Sequence, residues 1–423
     1  MTAAPARDGA EARLVELDRR VVEAARGIKI LTGLSWPPEV RERFLERWHA
    51  GDRALPEVEP RPARFDEAAD ELRAVADACD AAHPLGAYVR RTAESYLTAA
   101  RMLSSAGTPE FTHSSVALYG APGDPIAPGA MSNVEAADHF IRYSESFRGT
   151  AAMPEQEFCI VPEAVRDHLQ RVAGEAFPGE TVEVVLDPGL SSKAAAGARR
   201  VRVRAGTCFA DVDFAQLAEH EVLVHTLTML NGRLQPRLGS LGLGAPRTTC
   251  TQEGLATTAE LITGAVDLGR LRRIALRIRA VAMGLEGADF LDVFSFFLEA
   301  GQSPRESFNS TMRVFRGGDP AGKGVVFTKD AVYLQGMLSV HTFLRKALQA
   351  ERIELIHRLF AGRMTLGDVL ALEPWFESGL IEGPRFEPAW VKNRHTLAAY
   401  LVYSLFVNRI QLDMFELDFF RDR

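Results

Sequence analysis

Apolar residues recur at helical spacing from about Ala10 to Leu34, where Ser35-Trp36-Pro37-Pro38 stops one helix and opens another at a proline-tolerant first turn. The proline-rich stretch Arg53 to Arg64 breaks the pattern, which resumes as helices over Phe65 to Ala82 and Leu85 to Ser104. Gly107-Thr108-Pro109-Glu110-Phe111 and Tyr119-Gly120-Ala121-Pro122-Gly123-Asp124-Pro125 read as a turn-rich connection. Beyond about residue 150 the periodicity changes. Val182 to Leu186 and Arg200 to Arg204 alternate as half-buried strands around a Gly/Ser/Ala-rich loop, which predicts a small antiparallel sheet. Helical spacing then returns, with long segments expected over Ala288 to Ala300, Asp330 to Leu359 and His395 to Leu417. The expected fold is therefore α+β and mainly helical. An N-terminal helical region, 1–150, would pack on a second part, 151–423, in which the sheet lies beside the segment that follows it.

That segment carries His220-Glu221-Val222-Leu223-Val224-His225, and Asp213 is placed to cap its helix while Asn231-Gly232 is placed to end it. Two histidines bracketing a glutamate are the inventory of a catalytic zinc site. The usual pattern separates the histidines by four residues; here the separation is five, about 140° around a regular helix. The two imidazoles converge only if the helix takes in an extra residue, as a π-bulge does, and such bulges are frequent at functional sites. Glu221 then faces the open side of the metal as a base.

A third ligand is expected from Thr251-Gln252-Glu253-Gly254-Leu255-Ala256. Thr249-Cys250-Thr251-Gln252 fits a capping box, so a helix begins there and holds Glu253 in its first turn. An acid favoured by the helix dipole is the plainer explanation of Glu253 taken alone.

Two later stretches can complete such a site. Arg313 and Arg316 precede Gly317-Gly318, and a guanidinium pair can clamp a carboxylate. Lys329 and Tyr333 are neighbours at i and i+4; the phenol can donate to an oxyanion, and the ammonium can meet a substrate carboxylate. Ordinary salt bridges and a buried tyrosine account for the same residues.

Composition narrows the alternatives. Of 423 residues, 47% are hydrophobic, enough for a substantial core, and the net charge of -7 argues against a nucleic-acid binder. Met1 to Glu16 has no signal-type apolar run, and the longest apolar stretch, Leu397 to Val407, is too short for a membrane span and is expected to be a buried helix. Cys79, Cys159, Cys208 and Cys250 are scattered, which suggests isolated buried thiols and a reducing cytoplasm.

The His-Glu-x-x-x-His stretch, Gln252 to Ala256 and Thr328-Lys329-Asp330-x-Val332-Tyr333-Leu334 resemble, in content and order, the bacterial flavohaemoglobin expression-modulating QEGLA-motif proteins. These are relatives of the animal microtubule-associated tyrosine carboxypeptidases. Leu34-Ser35-Trp36-Pro37, Gly107 to Phe111, Leu118-Tyr119-Gly120-x-Pro122, and Asn231 with Gln235-Pro236 extend the likeness over most of the chain. The resemblance implies a zincin-like carboxypeptidase holding one Zn²⁺ per chain on His220, His225 and Glu253, with Glu221 as general base. Arg313, Arg316, Lys329 and Tyr333 lie in matching motifs. The implied partner is a peptide or protein C-terminus, with neither nucleic acid nor membrane. Two alternatives stand beside this: a zinc endopeptidase that processes a specific precursor, and a regulatory protein that keeps the metal without catalysis.

Overall fold

The computed structural model describes residues 4–127, 131–148 and 159–412. The fold is mainly helical with one small sheet, as the periodicity predicts. The boundary expected at 150/151 lies outside the described residues, as does the end of the C-terminal segment beyond 412. One continuous apolar cluster runs from Leu14 in the first helix, Ala4–Ala25, to Leu401 in the last, Arg394–Val407. A second, aromatic cluster joins Phe44 to Phe290, Phe294, Phe308 and Phe315, with Phe44 edge-on to Phe294 at 5.0 Å between centroids.

The sheet corrects the expected pairing. Strands β1 (Glu183–Asp187) and β3 (Arg200–Arg204) run parallel, with Val184 opposite Val201. The loop between them contains a third strand, β2 (Ala194–Ala196), which pairs antiparallel with β3. A tight turn, closed by Gly197 N–H donating to the Arg200 carbonyl at 2.8 Å, makes β2 the hairpin partner of β3. Only the other side of β3 remains for β1. Val184, Val201 and Val203 are buried on one face while Arg200 and Arg202 stay outside, the period-2 signature seen in the sequence. The Gln170 side chain, on helix Pro162–Ala176, bonds both the Val182 carbonyl and the Val184 N–H and so fixes β1 to that helix.

Several helix boundaries differ from expectation. The stretch read as a turn-rich connection contains the helix Pro109–Tyr119, with Pro109 in its first turn. The segment from Asp330 to Leu359 breaks after helix Val332–Gln349, where Glu351 has φ 58°, and resumes as Glu354–Arg358. Asn231 and Gly232 lie inside helix Leu227–Arg233 and do not end it. The Asn231 amide donates to the Phe360 and Phe386 carbonyls, and a Cβ on Gly232 would fall 2.0 Å from the Leu241 carbonyl oxygen. Close approach of the backbone explains that glycine. Helix Arg394–Val407 buries only Leu397 and Leu401 and leaves Val402, Tyr403 and Phe406 exposed, because it packs through one side.

Cys159 and Cys208 form a disulfide, contrary to the expectation of four isolated thiols. They are 49 residues apart, and the paired backbones of Ile160 and Phe209 bring them together. The inference of a reducing compartment, which rested on unpaired thiols, loses that support. No helix among the described residues is long and apolar enough to cross a membrane.

Candidate metal centre

Both histidines lie on a π-helix, Ala218–Thr226, continuous with α-helices on either side. Its hydrogen bonds step five residues back, as in Leu227 N–H to the Val222 carbonyl. The wider turn puts positions five apart on one side, so nine residues of π-winding do what a single bulge was expected to do. Val222 and Val224, on the same π-helix, are fully buried. The two imidazoles stand at 87° with centroids 4.7 Å apart. Asp213 does not occupy the N-cap expected of it. Placed in the first turn of helix Asp211–Leu217, it accepts from the Ala210 N–H and from Lys193.

Glu253 arrives from the second element, helix Thr249–Thr263. No capping box forms at its start, because Gln252 is engaged elsewhere: its side-chain oxygen accepts from Thr228 at 2.8 Å. That bond ties the glutamate helix to the helix that follows the histidines. Glu253 Oε2 then lies 3.4 Å from His220 Nε2 and 3.5 Å from His225 Nε2. All three side chains are buried, and one ligand atom from each lies within 4.8 Å of the others.

The residues fit a divalent cation. Glu253 Oε2 is buried and has no hydrogen-bond partner, although two imidazole nitrogens face it. Two imidazoles and a carboxylate form the donor set of catalytic zinc sites that keep an open position. An outer layer is also present. His220 Nδ1 bonds Glu260 Oε1 at 2.6 Å, and Glu260 further accepts from Gln216 and Arg270. Lys329 Nζ donates to the other oxygen of Glu253 at 2.8 Å. Such partners orient metal ligands and fix the histidine tautomer.

The charges form a coupled row. Burial opposes a charge on His220, but Glu253 and Glu260 override it and raise its proton affinity above the ordinary histidine value. Burial, reinforced by His220, holds His225 below that value. Against burial, Lys329 and the two imidazoles keep Glu253 well below the usual carboxylate range. Arg270 and His220 likewise overcome burial and hold Glu260 at about 2. Glu221 is half-buried on the π-helix, next to His220.

The remaining predicted site residues gather around Lys329. Arg313 forms a two-bond fork with Asp330, both bonds 2.6 Å, and its second amino group lies 3.5 Å from the Tyr333 hydroxyl. Lys329, in the turn Lys329–Ala331 before helix Val332–Gln349, places Nζ 5.2 Å from the Tyr333 ring centroid. Arg316 is buried, with its guanidinium 5.1 Å from the Phe327 ring. The N-terminal helices, chemically silent in the sequence, pin this turn. Ser115 Oγ accepts from Thr328 N–H at 2.9 Å, and the Asn133 amide donates to the Ala331 carbonyl at 2.7 Å.

Glu260, Arg270 and Asp330 escaped the sequence reading. Glu260 follows Glu253 by two helical turns on the same face, and that spacing is the signal that could have found it.

The fold and site define a mainly helical protein whose buried His-His-Glu cluster is compatible with a metal site. No individually curated protein matches the chain. The family model described as microtubule-associated tyrosine carboxypeptidase matches residues 42–409, most of the chain. The chain belongs to that family, which implies activity of the carboxypeptidase type.

Proposed function

We propose that the chain is a zinc-dependent carboxypeptidase that removes a C-terminal residue, tyrosine or another aromatic, from a peptide or protein. The observation that carries this reading is the convergence of His220, His225 and Glu253 around the unpartnered Glu253 Oε2, with Glu221 on the same π-helix. His220, His225 and Glu253 would hold the ion, which when bound supplies Lewis acidity and makes a water acidic near neutral pH. Glu221 accepts the proton of the attacking water and returns it to the leaving amine. Tyr333, aimed by Arg313, donates to the oxyanion that develops on the scissile carbonyl. Lys329 fixes the ligand orientation of Glu253.

The test compares metal content and turnover of the wild type with those of Glu221→Gln, His220→Ala and Glu253→Ala. The expected result is about one zinc per chain in the wild type and in Glu221→Gln, loss of zinc in the other two, and turnover in the wild type alone. A wild type that binds no zinc when it is supplied, or an active Glu221→Gln, refutes the reading. Equal cleavage of a peptide and its C-terminal amide would instead favour endopeptidase action.

A further inference from the structure

Cys159 and Cys208 are both exposed, so the disulfide between them lies open to solvent. It stands beside an isolated bridge between Ile160 and Phe209, whose two hydrogen bonds are each 3.0 Å. One covalent bond and two hydrogen bonds thus close a loop that holds helix Pro162–Ala176 and strands β1, β2 and β3.

The closed unit backs the helix that carries the histidines. At one end of the π-wound stretch, the Thr226 hydroxyl donates to the Gly197 carbonyl, beside the turn from β2 to β3, at 3.1 Å. At the other end, the His168 ring meets Phe214 of helix Asp211–Leu217 edge-on, with centroids 5.1 Å apart. Lys193, just ahead of β2, bonds Asp213 and lies 5.6 Å from the Phe209 ring. Phe209 is buried, and two residues later the helix that runs into Ala218–Thr226 begins. The disulfide therefore anchors the entry to the metal helix.

That anchorage matters because π-winding is rare and usually lasts a single turn, whereas here it spans nine residues. In α-winding the two histidines would stand about 140° apart, and the three-ligand cluster would be lost. Contacts from outside the helix decide which winding it keeps. An exposed disulfide is also the kind that cellular dithiols reduce.

We propose that the Cys159–Cys208 disulfide is a redox clasp for the metal centre. Closed, it holds the π-wound helix; opened, it lets Ala218–Thr226 relax toward α-winding and separates His220 from His225. The inference rests on the metal-site reading. Opening is an exchange with an external dithiol. One of its thiolates attacks a cysteine sulfur, the S–S bond breaks to give a mixed disulfide, and the second thiolate displaces the other cysteine. Two electrons and two protons pass to Cys159 and Cys208, and the dithiol leaves as a disulfide. Metal and disulfide favour the same winding, so each strengthens the other by the same factor.

The experiment uses the full chain purified without reductant, the same protein after a phosphine reductant, and the variant Cys159→Ser/Cys208→Ser. Thiol titration should find two free thiols before reduction and four after. Zinc affinity, from competition with a chromogenic chelator, should fall at least tenfold on reduction and in the double variant, which should ignore the reductant. The reduction potential in glutathione buffers should be lower with zinc than without, by about 30 mV for a tenfold effect. Amide exchange of the metal-free protein should quicken over 211–226 on reduction while helix Pro84–Ser104 stays protected. The reduced wild type carries the comparison if the double variant does not fold. Equal zinc affinity in the oxidised and reduced proteins overturns the clasp and leaves the metal reading standing. Exchange that quickens in both helices marks a general cross-link and overturns it too, as do four free thiols before reduction. An oxidised protein that takes up no zinc overturns the metal reading and this inference with it.

Discussion

Gly254 and Gly336 touch backbone to backbone: a Cβ on Gly254 would lie 2.2 Å from the Gly336 carbonyl oxygen, and one on Gly336 would lie 2.3 Å from the carbonyl oxygen of Cys250. Their helices, Thr249–Thr263 and Val332–Gln349, can therefore cross with no side chain between them. That closeness lets Lys329, in the turn before the second helix, reach Glu253 on the first.

Gly254→Ala should therefore separate the helices. Overpacking of this kind costs about 1–3 kcal/mol, and the contact here is with rigid backbone and not with a yielding side chain. Urea unfolding should show the loss of stability, and metal analysis a lowered zinc content, because Glu253 is displaced. An alanine variant as stable as the wild type would show that the crossing tolerates expansion.

The site was legible where chemistry imposes spacing. Histidines five apart converge only on a π-wound helix, so His220 and His225 announce the winding that Ala218–Thr226 adopts. The long apolar periodicities gave most helices in the right places. Long-range pairing was not legible. Which side of β3 receives β1, or that Cys159 meets Cys208, depends on how distant segments dock, and local alternation carries no record of that. The outer layer was hidden for a related reason. Glu260 and Arg270 look like ordinary charged helix residues until their helices are folded against the histidines. Gln252 looked like a cap because its bond to Thr228 is tertiary.

Glu260→Gln should weaken metal retention without displacing a ligand. His220 Nδ1 keeps an acceptor but loses the ionised one, and Arg270 is left without a counter-charge. Changes of this class cost about 10- to 100-fold in metal affinity. Competition with a chromogenic chelator measures it; unchanged zinc affinity would remove Glu260 from the site.

Asp18 links the first helix to the turn Gly239–Gly242 and gives stability a distinct pH dependence. It bonds the Ser240 hydroxyl and N–H, and Tyr88 bonds the same hydroxyl at 2.8 Å. Burial raises the Asp18 carboxyl from 3.8 to about 6, so the folded state binds the proton more tightly than the unfolded chain. Its contribution is complete below about pH 4 and is lost as pH rises through about 6. Between pH 8 and pH 5 this group alone adds about 1 kcal/mol. Urea unfolding at the two values should show that increment as the difference between wild type and Asp18→Asn, whose side chain does not titrate. Parallel profiles would place the titration elsewhere.

Tyr333 and Asp330 should fail in different ways. Tyr333→Phe removes one donor to the oxyanion and leaves the fork of Arg313 with Asp330 intact. Loss of such a donor lowers kcat by about 10²–10³ with little change in KM or stability. Asp330→Asn instead strips the counter-charge from Arg313 at a pair whose carboxylate is buried. Breaking a buried pair from one side costs about 3–5 kcal/mol, so this variant should unfold at lower urea as well as turn over slowly. Steady-state kinetics with urea melts on both variants separates the roles. Were Tyr333→Phe to keep full kcat, the oxyanion would depend on the metal alone, and the work of Arg313 and Asp330 would be to support the turn that carries Lys329.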